Sequence, residues 1–361
     1  MSHSFFSVPI IEIKTETRDC RVLKFDIPED LKKQLGYRAG QYFTLRVNIG
    51  GGSVQRAYSL CSAPYENKWE VAVKKVPGGA FSEYVHNELR SGASIEIMGP
   101  DGNFVLEADP ESKRRYTFFA AGSGITPVIS LIKDVLYRES ASNVTLFYAN
   151  KTKDDIIFKD ELAALEKEYS NRLKVFHFLT RETHEKTLFC GRLNAKKCKT
   201  LILNAILDID NTDKFMLCGP EAMVFNIKTF LQEQGVVDSK IKFELFTTDA
   251  SQKNKGKKTG TSGSTDKGKY SKVRITLDGS TTTIEVPYDD MSILEWAMEY
   301  GLPVPYSCQS GTCSTCRARL LEGKVEMMVN FVLDEEEVAE GYRLTCQSLP
   351  KSEKIHLDYD Q

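Results

Sequence analysis

The chain has no long hydrophobic run. Nothing in it approaches the ~20 consecutive apolar residues of a bilayer crossing, so no membrane role is expected. The N-terminus, Met1-Ser-His-Ser-Phe-Phe-Ser-Val-Pro-Ile-Ile, lacks a basic segment followed by a long apolar stretch, so it does not read as a secretory signal. Histidine is scarce. His3, His86, His177, His184 and His356 form no ligand pattern, and no Ser/His/Asp constellation accompanies them, which sets hydrolytic and His-based metal chemistry aside. Internal repeats are absent too, which excludes a solenoid.

Cysteine is not scarce: there are nine. Five of them (Cys20, Cys61, Cys190, Cys198 and Cys218) are scattered singly, which suits a reducing cytoplasm better than a disulfide framework. The other four, Cys308, Cys313, Cys316 and Cys346, follow C-x4-C-x2-C-x29-C. That is the ligand spacing of a plant-type [2Fe–2S] cluster. Structural zinc sites instead favour two short cysteine pairs, and here the far cysteine is single. The loop Cys308-Gln-Ser-Gly-Thr-Cys-Ser-Thr-Cys316 is built of small residues, and Gly311 is free to take a positive φ. Its N–H groups are then available to the sulfurs.

Charge has no excess of either sign overall, at net −2, but it is unevenly spread. Residues 271–361 carry 16 acidic and 8 basic side chains, a net of −8; residues 251–270 carry six Lys and one Asp, a net of +5; residues 1–250 stand at +1. The acidic segment reads equally as a docking face for a basic partner and as plain solubility. The basic segment, SQKNKGKKTGTSGSTDKGK over 251–269, has no apolar or aromatic residue. It reads as a flexible tether rather than a nucleic-acid site, spanning about 25 Å for a coil of about 20 residues.

Length predicts two or three domains. Residues 5–108 show short alternating runs, such as Tyr42–Val47 and Trp69–Lys74, with one helix near Ala80–Leu89, which predicts a small antiparallel barrel. Residues 114–247 alternate strands (Tyr116–Ala121, Val144–Ala149, Leu173–Leu179, Lys214–Cys218, Ile241–Leu245) with helices (Pro127–Arg138, Lys159–Glu168, within Lys199–Leu207, Glu221–Gln234), the pattern of a parallel α/β sheet. The last segment opens with strands Lys272–Leu277 and Thr282–Val286 and a helix Ile293–Tyr300 behind a Ser292/Glu295 capping box.

Three motifs bear on chemistry. Arg56-Ala57-Tyr58-Ser59 offers a cation for phosphates, a ring for a flavin and a hydroxyl near its reactive nitrogen. Gly78-Gly-Ala80-Phe81-Ser82 opens the barrel helix, where free N–H groups suit a pyrophosphate. Gly122-Ser123-Gly124-Ile-Thr126-Pro127 follows a strand and opens a helix, but Pro127 replaces the third glycine of the dinucleotide fingerprint, and Asn150-Lys151 stand where an acidic residue would end the next strand. Cys218-Gly219-Pro220 ends a later parallel strand, where such sheets bind ligands.

Taken in order, Arg-x-Tyr-Ser, Gly-x-x-Ser, Gly-x-Gly-x-x-Pro and Cys-Gly-Pro resemble the ferredoxin–NADP(+) reductase superfamily. With the cysteine loop added, essentially the whole chain is similar to reductase components of bacterial multicomponent oxygenases, those of the phenylacetyl-CoA epoxygenase type above all, through Val325-Glu-Met and Leu344-Thr-Cys-Gln-Ser348.

The resemblance implies an FAD-binding barrel over 1–108, an NAD(P)-binding α/β domain over 109–248, a linker over 249–270 and an α+β β-grasp ferredoxin domain over 271–361. It implies that Arg56, Tyr58, Ser59, Ala80, Phe81 and Ser82 hold FAD, with Lys74 and Val76 along its ribityl chain. Ser123 and Thr126 would sit between flavin and nucleotide, and Cys218 would face the nicotinamide. Glu244 and Phe246 of Phe243-Glu-Leu-Phe246 would border the flavin ring. Lys151, together with Arg181 and Arg192 of the Thr-Arg-Glu and Gly-Arg elements, would grip the 2′-phosphate of NADP, with NAD as the alternative. Electrons would run from NAD(P)H through FAD and the cluster to an oxygenase component. A reductase for another ring- or steroid-hydroxylating oxygenase stays open, as does a ferredoxin carrier whose flavin half is vestigial.

Overall fold

The computed structural model describes residues 4–246, 269–288 and 291–361. The chain forms two compact units, one comprising Phe6–Val54 with Tyr58–Phe246, the other built on the C-terminal module. Most of the expected tether, residues 249–268, lies outside the described residues.

The first unit opens with the barrel. Its strands are β1 (Phe6–Thr17), β2 (Cys20–Phe25), β3 (Tyr42–Ile49), β4 (Gly52–Ser59), β5 (Glu70–Lys74) and β6 (Ser94–Asp101), in the order β4-β3-β6-β1-β2-β5. β1 turns a corner: Phe6–Pro9 pair with β6 and Ile10–Thr17 with β2, with a register shift between Ile10 and Glu12. A bridge from Leu60 to Val71 joins the two ends of the sheet. Closure removes exposed strand edges. Inside, Phe43 and Trp69 stack at 5.5 Å among Leu45, Val71 and Val73. The barrel carries two helices, not the single one expected. α1 (Glu29–Leu35) precedes α2 (Ala80–Asn87). α1 buries only Leu35 and is held by an acidic first turn and a Glu29–Lys32 pair at 2.7 Å, so it has no apolar period to read.

The parallel sheet follows, with strands β7 (Arg115–Ala121), β8 (Asn143–Asn150), β9 (Leu173–Leu179), β10 (Lys214–Gly219) and β11 (Ile241–Leu245), ordered β11-β10-β7-β8-β9. Helices α3 (Ile125–Arg138), α4 (Lys159–Glu168), α5 (Ala195–Leu203) and α6 (Glu221–Glu233) connect them. Strands buried on both faces read as continuous apolar runs, which is why they are legible. α5 begins four residues before the expected Lys199. Asn194 accepts the Lys197 N–H at 2.9 Å and starts the helix, and Ala205, at φ 53, turns the chain away after Leu203.

The second unit is a mixed sheet, β13-β12-β18-β14-β16, of β12 (Tyr270–Leu277), β13 (Ser280–Pro287), β14 (Arg317–Glu322), β16 (Tyr342–Leu344) and β18 (Lys354–Asp358), plus a small pair, β15 (Val325–Met327) with β17 (Ser348–Pro350). β12 pairs in parallel with β18 and antiparallel with β13, and α7 (Ile293–Glu299) packs over the sheet, the β-grasp arrangement. The Ser292/Glu295 capping box forms, with the Ser292 N–H donating to Glu295 at 2.9 Å. α8 (Glu335–Ala339) is a further short helix with no counterpart among the expected elements.

Candidate functional site

On the barrel, β4 carries Arg56, Ala57 and Tyr58, all half-buried, and ends at buried Ser59. The turn before α2 is fixed by Ser82, whose hydroxyl accepts the Val76 N–H at 3.0 Å and donates to the Gly79 carbonyl at 3.1 Å. Ser82 therefore shapes the turn that presents the first amides of α2 rather than offering a free hydroxyl. Ala80 is exposed at this helix start, and Phe81, at 2% exposed, lies beneath it, while the Tyr58 ring packs 5.2 Å from that of Phe81. Lys74 ends β5 and reaches the glycine turn of the nucleotide half, where a Cβ on Gly122 would lie 3.7 Å from its Nζ.

In that half, Gly122–Gly124 form one tight turn between β7 and α3. Thr126 donates to the Ser123 carbonyl at 3.1 Å, and the buried Tyr148 hydroxyl donates to that of Gly122 at 2.9 Å. Pro127 lies buried in the first turn of α3, where its missing N–H costs nothing. Gly124 must be glycine because a side chain there would run into the Cys218 carbonyl and stand 2.9 Å from Gly219 N. The end of β10 thus packs directly on the turn, and Pro220 then starts α6.

Three side chains converge beside this contact. Register places Cys218 of β10 next to Glu244 of β11. Cys218 Sγ donates to Glu244 Oε2 at 3.9 Å, and Ser59 Oγ donates to the same oxygen at 3.5 Å. Burial pushes the Glu244 carboxyl up to about 8. Burial also pushes the Cys218 thiol up, and the neighbouring carboxyl adds to this. At neutral pH the group is an uncharged proton holder beside an uncharged thiol. Phe246 follows, its N–H donated to the Gly219 carbonyl at 3.1 Å.

At the far end of the sheet, the Arg181 N–H donates to the Lys151 carbonyl at 2.9 Å, and Gly191 N–H donates to that of Leu179 at 2.8 Å. A parallel bridge from Leu179 to Cys190 brings Arg192 to the same corner. Lys151, Arg181 and Arg192 are all exposed there.

In the second unit, the four thiols gather. Cys308 contacts Cys313 and Cys346, and Cys346 contacts Cys316. Among the described residues, no group of three or more His, Cys, Asp or Glu could hold a single ion. A [2Fe–2S] cluster asks for a pair of ligands on each of two irons, and the donor set, all sulfur, fits it. The N–H groups of Ser310 and Thr312 point at Cys308 Sγ, both at 3.4 Å. Gly311 takes φ 72 and passes so near the chain that a Cβ would meet the Val329 carbonyl at 3.0 Å.

Sequence patterns assign no role to several supporting residues. The Tyr359 hydroxyl bonds Thr345 at 2.8 Å, and Thr345 donates to the Cys316 carbonyl at 2.9 Å, tying the strand end to the cysteine loop. Gln347 donates to the Gln309 carbonyl at 3.1 Å. Tyr148 gives no signal beyond being a tyrosine in an apolar strand, where a buried hydroxyl needs a partner.

Comparison with known proteins agrees with this geometry. Residues 7–106 match the oxidoreductase FAD-binding domain, 118–229 the oxidoreductase NAD-binding domain and 275–351 the 2Fe-2S iron-sulfur cluster binding domain. The chain is 34% identical to one of the subunits of 1,2-phenylacetyl-CoA epoxidase of Escherichia coli, across 99% of this chain and 98% of that one. It is also 34% identical to the ferredoxin reductase component of 3-ketosteroid-9-alpha-monooxygenase of Mycobacterium tuberculosis, across 98% and 95%. Phthalate dioxygenase reductase has the same fold, with a TM-score of 0.59 over 98% of both chains at 23% identity. The chain belongs to the family of NAD(P)H-dependent flavin and iron–sulfur reductases that serve as components of oxygenases.

Proposed function

We propose that this reductase takes its electrons from NADPH and delivers them to an oxygenase component of the phenylacetyl-CoA epoxidase kind. The observation that carries the reading is the full-length match to the epoxidase subunit of Escherichia coli, cysteine loop included. Bound FAD supplies the means of accepting electrons in a pair and releasing them singly.

The chain's own residues supply alignment. Arg56 and the opening amides of α2 receive phosphates, and Tyr58 flanks the flavin ring. Glu244 holds a proton within reach of Ser59, and Gly124 lets the nucleotide turn settle against β10. The three cations at the ends of β8 and β9 support the choice of NADPH, since a guanidinium matches phosphate geometry. No helix among the described residues is long and apolar enough to cross a membrane. None of the nine cysteines is paired in a disulfide, which supports a cytoplasmic setting.

The test is NADPH oxidation by the holoprotein mixed with a phenylacetyl-CoA epoxidase oxygenase, with phenylacetyl-CoA present. Product formation supports the reading. Turnover with a ketosteroid hydroxylase oxygenase and none with the epoxidase would replace the partner, and a preference for NADH would overturn the nucleotide assignment.

A further inference from the structure

We propose that Lys133 is a positioning residue for flavin reduction: its buried ion pair with Glu66 fixes the nucleotide half against the barrel and so sets how closely the nicotinamide approaches the flavin. The inference rests on the assignment as a flavin reductase and holds for either coenzyme and any acceptor. Barrel and nucleotide half lie within one compact unit. α3 opens at the glycine turn and runs along the seam between them. Ser130, Lys133 and Tyr137, at i, i+3 and i+7, share one face of this helix. All three meet the loop that leaves β4 just after Ser59. The Ser130 hydroxyl donates to the Ser62 carbonyl at 2.6 Å, Lys133 Nζ lies 2.7 Å from Glu66 Oε2, and the Tyr137 ring stacks on that of Tyr65 at 4.0 Å.

The loop is itself anchored. Ser62 Oγ accepts the Glu70 N–H at 3.2 Å and the Tyr37 hydroxyl proton at 3.1 Å. Glu66 Oε2 also accepts the Ala63 N–H at 2.6 Å, closing the short turn Pro64–Glu66. One rigid path therefore runs from the flavin-side strand β4 through Ser62 and Glu66 to α3 and back to Gly124. Apolar packing crosses the seam as well, with Val22, Cys61 and Ala72 in one cluster with Val128, Ile129 and Ile132. Such packing is non-directional. The polar contacts fix the register.

Lys133 is the contact that tolerates least displacement. Its side chain is 5% exposed. Burial works against its charge, but the Glu161 and Glu66 carboxylates outweigh that and hold its pKa above the ordinary value. An ammonium this buried is costly to leave uncompensated, so the two halves must sit where the pair can form. Glu161, 3.0 Å away on α4, belongs to the nucleotide half and does not span the seam. The family's reaction passes a hydride from reduced nicotinamide to bound FAD, leaving oxidised coenzyme and reduced flavin. Its rate is steep in distance: a misplacement of about 1 Å costs on the order of 100-fold.

The test is anaerobic stopped-flow reduction of the holoprotein's flavin at saturating coenzyme, using whichever of NADPH and NADH the parent prefers. It is read beside the long-wavelength charge-transfer absorbance of the coenzyme–flavin complex, the Kd of the oxidised coenzyme, FAD content and melting temperature. Lys133→Met should lower the limiting rate by about 10- to 100-fold and weaken the charge-transfer band, with Kd and FAD content unchanged. Lys133→Arg should restore rate and band. Ser130→Ala, which removes a second contact across the seam, should move both in the same direction by less. Glu161→Gln should match the parent. A parental rate and band in Lys133→Met, whatever its melting temperature, overturn the proposal, as does an equal loss in Glu161→Gln. If Lys133→Met does not fold, Ser130→Ala decides, and a parental rate and band there overturn it. A parent whose flavin neither coenzyme reduces sinks the reductase assignment instead.

Discussion

The backbone N–H of Arg181 donates to the carbonyl of Lys151 at 2.9 Å, joining the loop after β9 to the loop after β8. Two cations distant in sequence thereby share one corner, and the bridge at Cys190 adds Arg192. If that corner receives the 2′-phosphate, Arg181→Ala removes a charged contact of about 1.5–3 kcal/mol. The Michaelis constant for NADPH should rise at least several-fold, and that for NADH should stay nearly constant. Steady-state kinetics with both nucleotides decides it, and equal losses for the two would remove the assignment.

Cys346→Ser should abolish the visible and EPR signals of the cluster while leaving FAD bound, because Cys346 belongs to a unit separate from most of the barrel and from the parallel sheet. Zinc instead of iron in the purified parent would refute the cluster.

Glu244 gives a pH signature. Its folded value of about 8 stands above the ordinary 4.5. Below pH 4.5 the carboxyl is protonated in both folded and unfolded chains, and its contribution to stability is at its fullest. As pH climbs toward 8, the unfolded chain ionises while the folded one resists, so that stability drains away; above 8 it drains no further. Melting temperatures of the FAD-free protein should therefore separate from those of Glu244→Gln between pH 5 and 8, with the variant gaining. Parallel curves would show that Glu244 titrates normally.

Most of this architecture is legible in the sequence. β9, α4 and β11 fall at their expected residues because apolar runs and helical periods carry the signal. α1 and α8 are not legible because seven and five residues hold too few buried positions to show a period. The four ligand cysteines are legible as spacing alone. Ser82 is legible as part of the turn, but its bonds to Val76 and Gly79 belong to tertiary structure that no local pattern encodes. Glu244 is legible only through family likeness, since its partners Ser59 and Cys218 sit 185 and 26 residues away.

Gly124→Ala should be costly for so small a change. The new methyl presses on the Cys218 carbonyl and the Gly219 amide, and overpacking of this kind costs about 1–3 kcal/mol. The turn must move off β10, so nucleotide affinity should fall along with melting temperature. FAD content should hold, as the barrel residues are untouched. Wild-type affinity in a stably folded variant would show that the close approach is dispensable.

The sheet order β11-β10-β7-β8-β9 puts Glu244 and Cys218 on two strands at one edge and the cations Lys151 and Arg181 at the other, with β7 and its glycine turn between them. Under the proposed reading, recognition of the coenzyme's adenosine end and handling of its reactive end fall to different loops. Exchanging the three cations for an acidic or neutral set is therefore a route to a reductase that runs on the other nicotinamide pool, with its turnover machinery left as it is.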